Sequence, residues 1–192
     1  GLGDVYKRQT LKGYQGFASK QHDAGDGRAV MLIFETNSRL YLYAGNNGGW
    51  TVNLDTGFTP VVGNWYHFAL MRKDDQWAIY IDGILISRTI STFAPGIGSA
   101  TRPFQIGRYD QVTANTTDFG GCIDRLRVTN GVARYMPSFT SPTAPFGDNT
   151  ATDPYFDNVE LLLHMNGSNG STTFTDSSHN AFVITPRGGA AI

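Results

Sequence analysis

Between Trp77 and Ile90 the chain reads WAIYI, then Asp-Gly, then ILISRTI. Asp82-Gly83 between two such runs predicts a type I′ hairpin, because both central positions of that turn require positive φ. Gly supplies one of them without cost, and Asp tolerates the other. The stretch just upstream, NWYHFALMR (64–72), is apolar on both of its alternating faces. Trp65, His67, Ala69 and Met71 point one way, and Tyr66, Phe68 and Leu70 the other. Such a strand needs cover on both sides, as in the middle of a sandwich. Trp65 and His67 are therefore read as core residues.

The rest of the chain follows the same pattern. AVMLIFET (29–36) and LYLYAG (40–45) flank Asn-Ser-Arg, a connection of hairpin length. WTVNL (50–54) follows NNGG, and FQIGR (104–108) and CIDRLRVT (122–129) are two more strand candidates. The last one loses strict alternation at Ile123, Leu126 and Val128, so a bulge is expected there. NGVARY is compatible with a single helical turn, and FTSPTAPF (139–146), with two prolines, with an extended segment. No stretch keeps a helical apolar period over eleven residues or more. Gly accounts for 23 of 192 residues, and fourteen Asp stand against two Glu, a composition of turns and strands. The expected fold class is all-β, an antiparallel two-sheet sandwich.

A net charge of −1 argues against a nucleic-acid partner, which calls for a basic face. Cys122 is the sole cysteine, so there is no internal disulfide framework and no cysteine-based zinc site. No apolar run approaches the roughly 20 residues of a membrane helix, so no membrane insertion is expected.

GNWYHFALMRKDDQWAIYIDGILISR, then FQIGR, then FGGCIDRLRVTNGVARY resemble, in that order, the laminin-G-like branch of the concanavalin A-like lectin/glucanase superfamily. The resemblance spans roughly residues 11–146 and implies a jelly-roll sandwich. Its GVARY…FTSPTAPF ending is similar to copies in phage tail and virion-surface proteins, often in tandem, and in secreted bacterial proteins. Residues 1–9, GLGDVYKRQ, resemble a translated adaptor and are read as a non-native leader outside the fold. Residues 10–147 are then a laminin-G-like sandwich lacking its N-terminal strands, and 148–153 a linker. Residues 154–192 carry NVELLLHMNGSNGSTTFTDSS, which resembles the opening of domains of this family. They are read as the head of a second copy, docked on the first.

The glucanase branch places its carboxylates as Glu-x-Asp-x-x-Glu or Glu-x-Asp-x-Glu on one strand. Here Glu35 and Glu160 lie 125 positions apart and no Asp joins either at that spacing, so no enzymatic activity is expected. The resemblance also allows one Ca²⁺ at a sandwich edge, and Asp110, Asn115 and Asp118 of GRYDQVTANTTD are its candidate ligands. HDAGDG, with Asp23 and Asp26, is a second candidate loop. Ordinary turn formation accounts for the same residues. Sugar binding calls for an exposed aromatic beside hydrogen-bonding side chains. Trp50, and Tyr109 with Asp110 and Asn115, fit that description, as do core aromatics bordering turns. The expected function is a non-catalytic recognition module in a larger tail or surface protein, extracellular or on a virion. Its partners would be a glycan or cell-surface receptor and neighbouring copies of the domain. A structural spacer or decoration repeat, and an accessory module of a secreted carbohydrase, are the alternatives.

Overall fold

The computed structural model describes residues 2–8, 13–21, 28–45, 49–93, 103–109 and 117–192, with the backbone course alone at 2–8, 21, 28 and 29. The described strands are β1 (Leu2–Arg8), β2 (Gln15–Gln21), β3 (Arg28–Phe34), β4 (Leu40–Ala44), β5 (Val52–Asp55) and β6 (Trp65–Lys73). They continue with β7 (Gln76–Ile81), β8 (Ile84–Ile90), β9 (Phe104–Ile106), β10 (Gly121–Thr129) and β11 (Val159–Leu163). A six-stranded sheet runs β11-β10-β1-β6-β7-β8 and a five-stranded sheet runs β5-β4-β3-β2-β9. All the pairings are antiparallel. No helix among the described residues is long and apolar enough to cross a membrane.

One core lies between the sheets. Phe17, Leu32, Phe34 and Leu42 come from the smaller sheet, and Phe68, Leu70, Ile79 and Leu126 from the larger. The double cover expected of β6 is present. Phe68 and Leu70 enter this core, while Ala69 and Met71 join Ala78 and Tyr80 on the reverse face. There Ala133, Tyr135, Met136 and Phe139 cover them. The segment NGVARY is part of this cover and forms no helical turn. Ala133 and Tyr135 pack on the same surface at a spacing of two, which a helical turn would not allow. His67 is buried under the same cover, as expected, but Trp65 is 47% exposed. Trp65 is the first residue of β6, ahead of where the cover begins.

The Asp-Gly turn has the predicted conformation, with φ of 51° at Asp82 and 79° at Gly83. Asp82 Oδ1 accepts the His67 backbone N–H at 2.7 Å, and Gly83 O accepts that of Phe139 at 3.1 Å. The bulge in β10 falls at Arg125, φ 59°, between the pairs Leu126↔Asp4 and Asp124↔Val5. A second bulge occurs in β8, the last strand of its sheet. Ile79 faces Ser87 and Tyr80 faces Leu85, so Ile86 is the extra residue.

Two segments differ from the domain reading of the sequence. Leu2–Arg8, set outside the fold there, is paired on both sides in the interior of the larger sheet, with β10 and with β6. Residues 148–153 do not hang free either, because Asp153 is only 4% exposed. Its carboxylate holds Arg127 at 3.2 Å and Arg134 at 2.7 Å, both nearly buried. Beyond it, β11 pairs with β10 through Leu161↔Val128 and Leu163↔Leu126, and both leucines enter the main core. The far edge of β11 is closed by Asp176, whose Oδ1 accepts the Leu162 N–H at 2.9 Å.

Candidate functional site

The site is built on the outer face of the five-stranded sheet. Successive side chains of a strand alternate between faces. Leu40, Leu42 and Ala44 of β4 enter the core, so Tyr41 and Tyr43 stand on the opposite side. Register places Asp55 and Asn53 of β5 beside them, and Ile33 and Met31 of β3 on their other flank. The two tyrosine rings are parallel, 5.8 Å apart and inclined by 9°. Trp50, just ahead of β5, lies with its ring 5.1 Å from that of Tyr43, tilted by 49°. The three rings form a half-buried aromatic row along the sheet.

Hydrogen bonds fix the row in place. Tyr41 donates to Asp55 Oδ2 at 2.9 Å and accepts from Asn37 Nδ2 at 3.0 Å. Asp55 also accepts the Gly57 N–H at 2.8 Å and Arg39 Nη1 at 3.0 Å. The Gly57 bond, joined by those from Tyr41 and Arg39 against a smaller burial effect, holds its carboxyl below the ordinary value. Tyr43 donates to Glu35 Oε1 at 2.8 Å. Burial, together with the Glu35 bond and charge, pushes the Tyr43 phenol well above its usual value, so it remains a donor. Asp55 thus takes three donors and Tyr43 gives its hydrogen to Glu35, so both groups are committed to holding the row. Beside the Tyr43 ring, Glu35 Oε2 and the exposed Asn53 amide have no protein partner among the described residues. They flank Tyr43.

Of the residues named from sequence, Trp50 belongs to this row. Tyr109 lies across the same sheet, over β2, where its backbone closes on Gly16. A Cβ at Gly16 would sit 2.1 Å from Tyr109 N, so no larger residue fits. Tyr109 meets Tyr14 edge-on with ring centres 6.2 Å apart. Asp118 pairs with Arg108 at 3.3 Å. Asp110 and Asn115 lie outside the described residues, as do Asp23 and Asp26. No three His, Cys, Asp or Glu side chains gather at one point among the described residues. Sequence reasoning passed over Tyr41, Tyr43, Glu35 and Asn53. The signal was there in LYLYA, whose leucines and tyrosines alternate face by face.

The sequence profile of the concanavalin A-like lectin/glucanases superfamily, laminin G type, matches residues 6–134. The chain belongs to this superfamily. No curated protein matches this concanavalin A-like domain. Among solved structures it is similar to a Bacteroides ovatus protein provisionally named as carbohydrate binding, with a TM-score of 0.68 and 16% identity. That likeness covers 91% of this chain and 48% of the other, so the domain spans about half the length of that relative. A Trypanosoma rangeli sialidase, seen with 2,3-difluorosialic acid, has a TM-score of 0.48 and 22% identity over 65% of this chain and 19% of its own. A heptameric pentraxin of Limulus polyphemus has a TM-score of 0.47 and 15% identity over 66% of this chain and 61% of its own.

Proposed function

We propose that this concanavalin A-like domain is a non-catalytic carbohydrate-recognition module and that the outer face of its five-stranded sheet receives the glycan. The observation that carries the reading is the surround of Tyr43. An aromatic row lies beside one unpartnered carboxylate oxygen and one unpartnered amide. A pyranose offers C–H groups to an aromatic ring and hydroxyls to such polar groups, and few, fixed polar contacts set orientation. The superfamily match and the name of the Bacteroides relative support the same reading. Catalysis at this face is disfavoured because glycoside hydrolysis generally needs two carboxyl groups in distinct acid–base roles. Asp55 already takes three donors, and Glu35 accepts from Tyr43. In the larger protein such a module would hold a tail, virion or secreted surface protein to a glycan-bearing cell surface.

Titration of the 192-residue chain with a panel of oligosaccharides, followed by Trp50→Ala and Asn53→Ala, tests this. Each variant is expected to lose roughly tenfold in affinity with its melting transition retained. A chain that binds no glycan of the panel, or binds as well without the Trp50 ring, overturns the reading.

A further inference from the structure

We infer that this face selects neutral, hydroxyl-rich glycan chains and discriminates against sugars that carry a carboxylate, with Glu35 as the residue that sets the preference. The inference rests on the recognition reading above. Its basis is an inventory of which groups remain open. The Tyr41 hydroxyl is closed, since it donates to Asp55 and accepts from Asn37. The Tyr43 hydroxyl gives its hydrogen to Glu35. Next to Tyr43 a ligand therefore meets a bare carboxylate oxygen, Glu35 Oε2, and the Asn53 amide, with the remaining N–H groups of Arg39 farther along, beside Asp55. The first accepts hydrogen bonds only, and the second donates and accepts.

A sugar hydroxyl is both donor and acceptor and suits this pair. A sugar carboxylate is acceptor only and finds the Glu35 charge. Arg39 offsets that charge only in part, because Nη1 is on Asp55 Oδ2 at 3.0 Å and its positive charge is already shared with that carboxylate. An anion that recruited Arg39 would enter beside the Asp55 charge as well. At this half-exposed face, like charges a few ångströms apart cost on the order of a five- to tenfold change in affinity.

The test uses matched pairs differing in oxidation at C6, namely galacto-, gluco- and manno-oligosaccharides against the corresponding uronate oligomers. Each is titrated into the full chain, into Glu35→Gln and into Asn53→Asp, at low and high salt, with melting curves for every variant. The expected result is that a neutral oligomer binds the wild type about five- to tenfold tighter than its uronate partner. The gap should narrow in Glu35→Gln, whose amide oxygen still accepts from Tyr43, and at high salt. It should widen in Asn53→Asp. A uronate bound as tightly as its neutral partner overturns the inference, as does a gap that Glu35→Gln leaves unchanged. If both members bind equally and Trp50→Ala abolishes both, only the selectivity falls. If neither binds the wild type, the recognition reading itself falls and the inference with it.

Discussion

Tyr43 reaches along the sheet to Glu35, donating its phenolic hydrogen across 2.8 Å and tying β4 to the residue that follows β3. The bond holds the Tyr43 ring where both Tyr41 and Trp50 pack against it. Tyr43→Phe should keep that row while costing about 0.5–1.5 kcal/mol of stability, the worth of one hydrogen bond. It also frees Glu35 Oε1. Chemical denaturation and glycan titration of the same sample check both effects, and a row that collapsed would show as a difference in tryptophan fluorescence between the two folded proteins.

Asp153 should tolerate substitution poorly. Asp153→Asn leaves Arg127 and Arg134 without their shared counter-charge in a nearly dry place. Breaking a buried pair from one side costs about 3–5 kcal/mol. The expected outcome is a large fall in the denaturant midpoint, measured against Arg39→Ala, an exposed pair whose loss should change the midpoint little.

Acid should destabilise the domain in two stages. Burial is the main cause that draws the His67 imidazole down to about 4. The Asp82 carboxylate opposes that shift, and Arg127 and Arg125 reinforce it. Its folded value lies below its unfolded one, so its contribution is complete above about 6.5 and is lost as pH falls toward 4. The whole shift corresponds to at most roughly 3 kcal/mol. At Asp153 burial alone would raise the carboxyl, but the bonds from Arg134 and the Tyr155 amide, with the charges of both arginines, hold it below the ordinary value. Its contribution is therefore lost at still lower pH, as the carboxylate protonates. His67→Leu removes two buried nitrogens that have no partner. Denaturant midpoints recorded across pH should lose the slope between 6.5 and 4 in that variant and keep the steeper fall below it.

Gly83→Ala should be far worse than a turn substitution usually is. Its φ of 79° disfavours a side chain, and a Cβ would lie 1.8 Å from Phe139 O. The strap over β6 and β7 would have to lift. A loss of about 2–4 kcal/mol is expected, with faster proteolysis near Phe139 as the independent readout.

Leu161→Ala and Leu163→Ala test whether the C-terminal segment belongs to the same cooperative unit. Each leucine is buried in the main core, and each truncation should cost about 2–5 kcal/mol. Removing 154–192 altogether should lower the midpoint further. An unchanged midpoint would show that β11 rests on the sandwich without stabilising it.

Much of this architecture was legible because β-structure writes itself in pairs. Asp82-Gly83, the two-faced β6 and the broken alternation around Arg125 all state local backbone requirements, and each is met. What sequence could not state is which remote segment meets which face. Leu2–Arg8 shows no apolar pattern of its own, yet it pairs on both sides because β10 and β6 offer it complementary edges. Asp153 looked like one polar residue in a polar stretch, and only the fold brings Arg127 and Arg134 to it. The same limit applies to the site. Trp50 stood out as a large aromatic near a loop, whereas Glu35 and Asn53 become notable only once register sets them around Tyr43.

The displaced Ile86 gives the free margin of the larger sheet a phase error. Ile84 and Ile90 are both well exposed, and on an unbroken strand they would share one face. With one residue too many between them, the two fall on different phases of the strand, and a neighbouring strand pairing here would have to accommodate the same two-for-one step that β7 does. The border is therefore a poorer template for a further strand than a straight apolar edge of the same length would be.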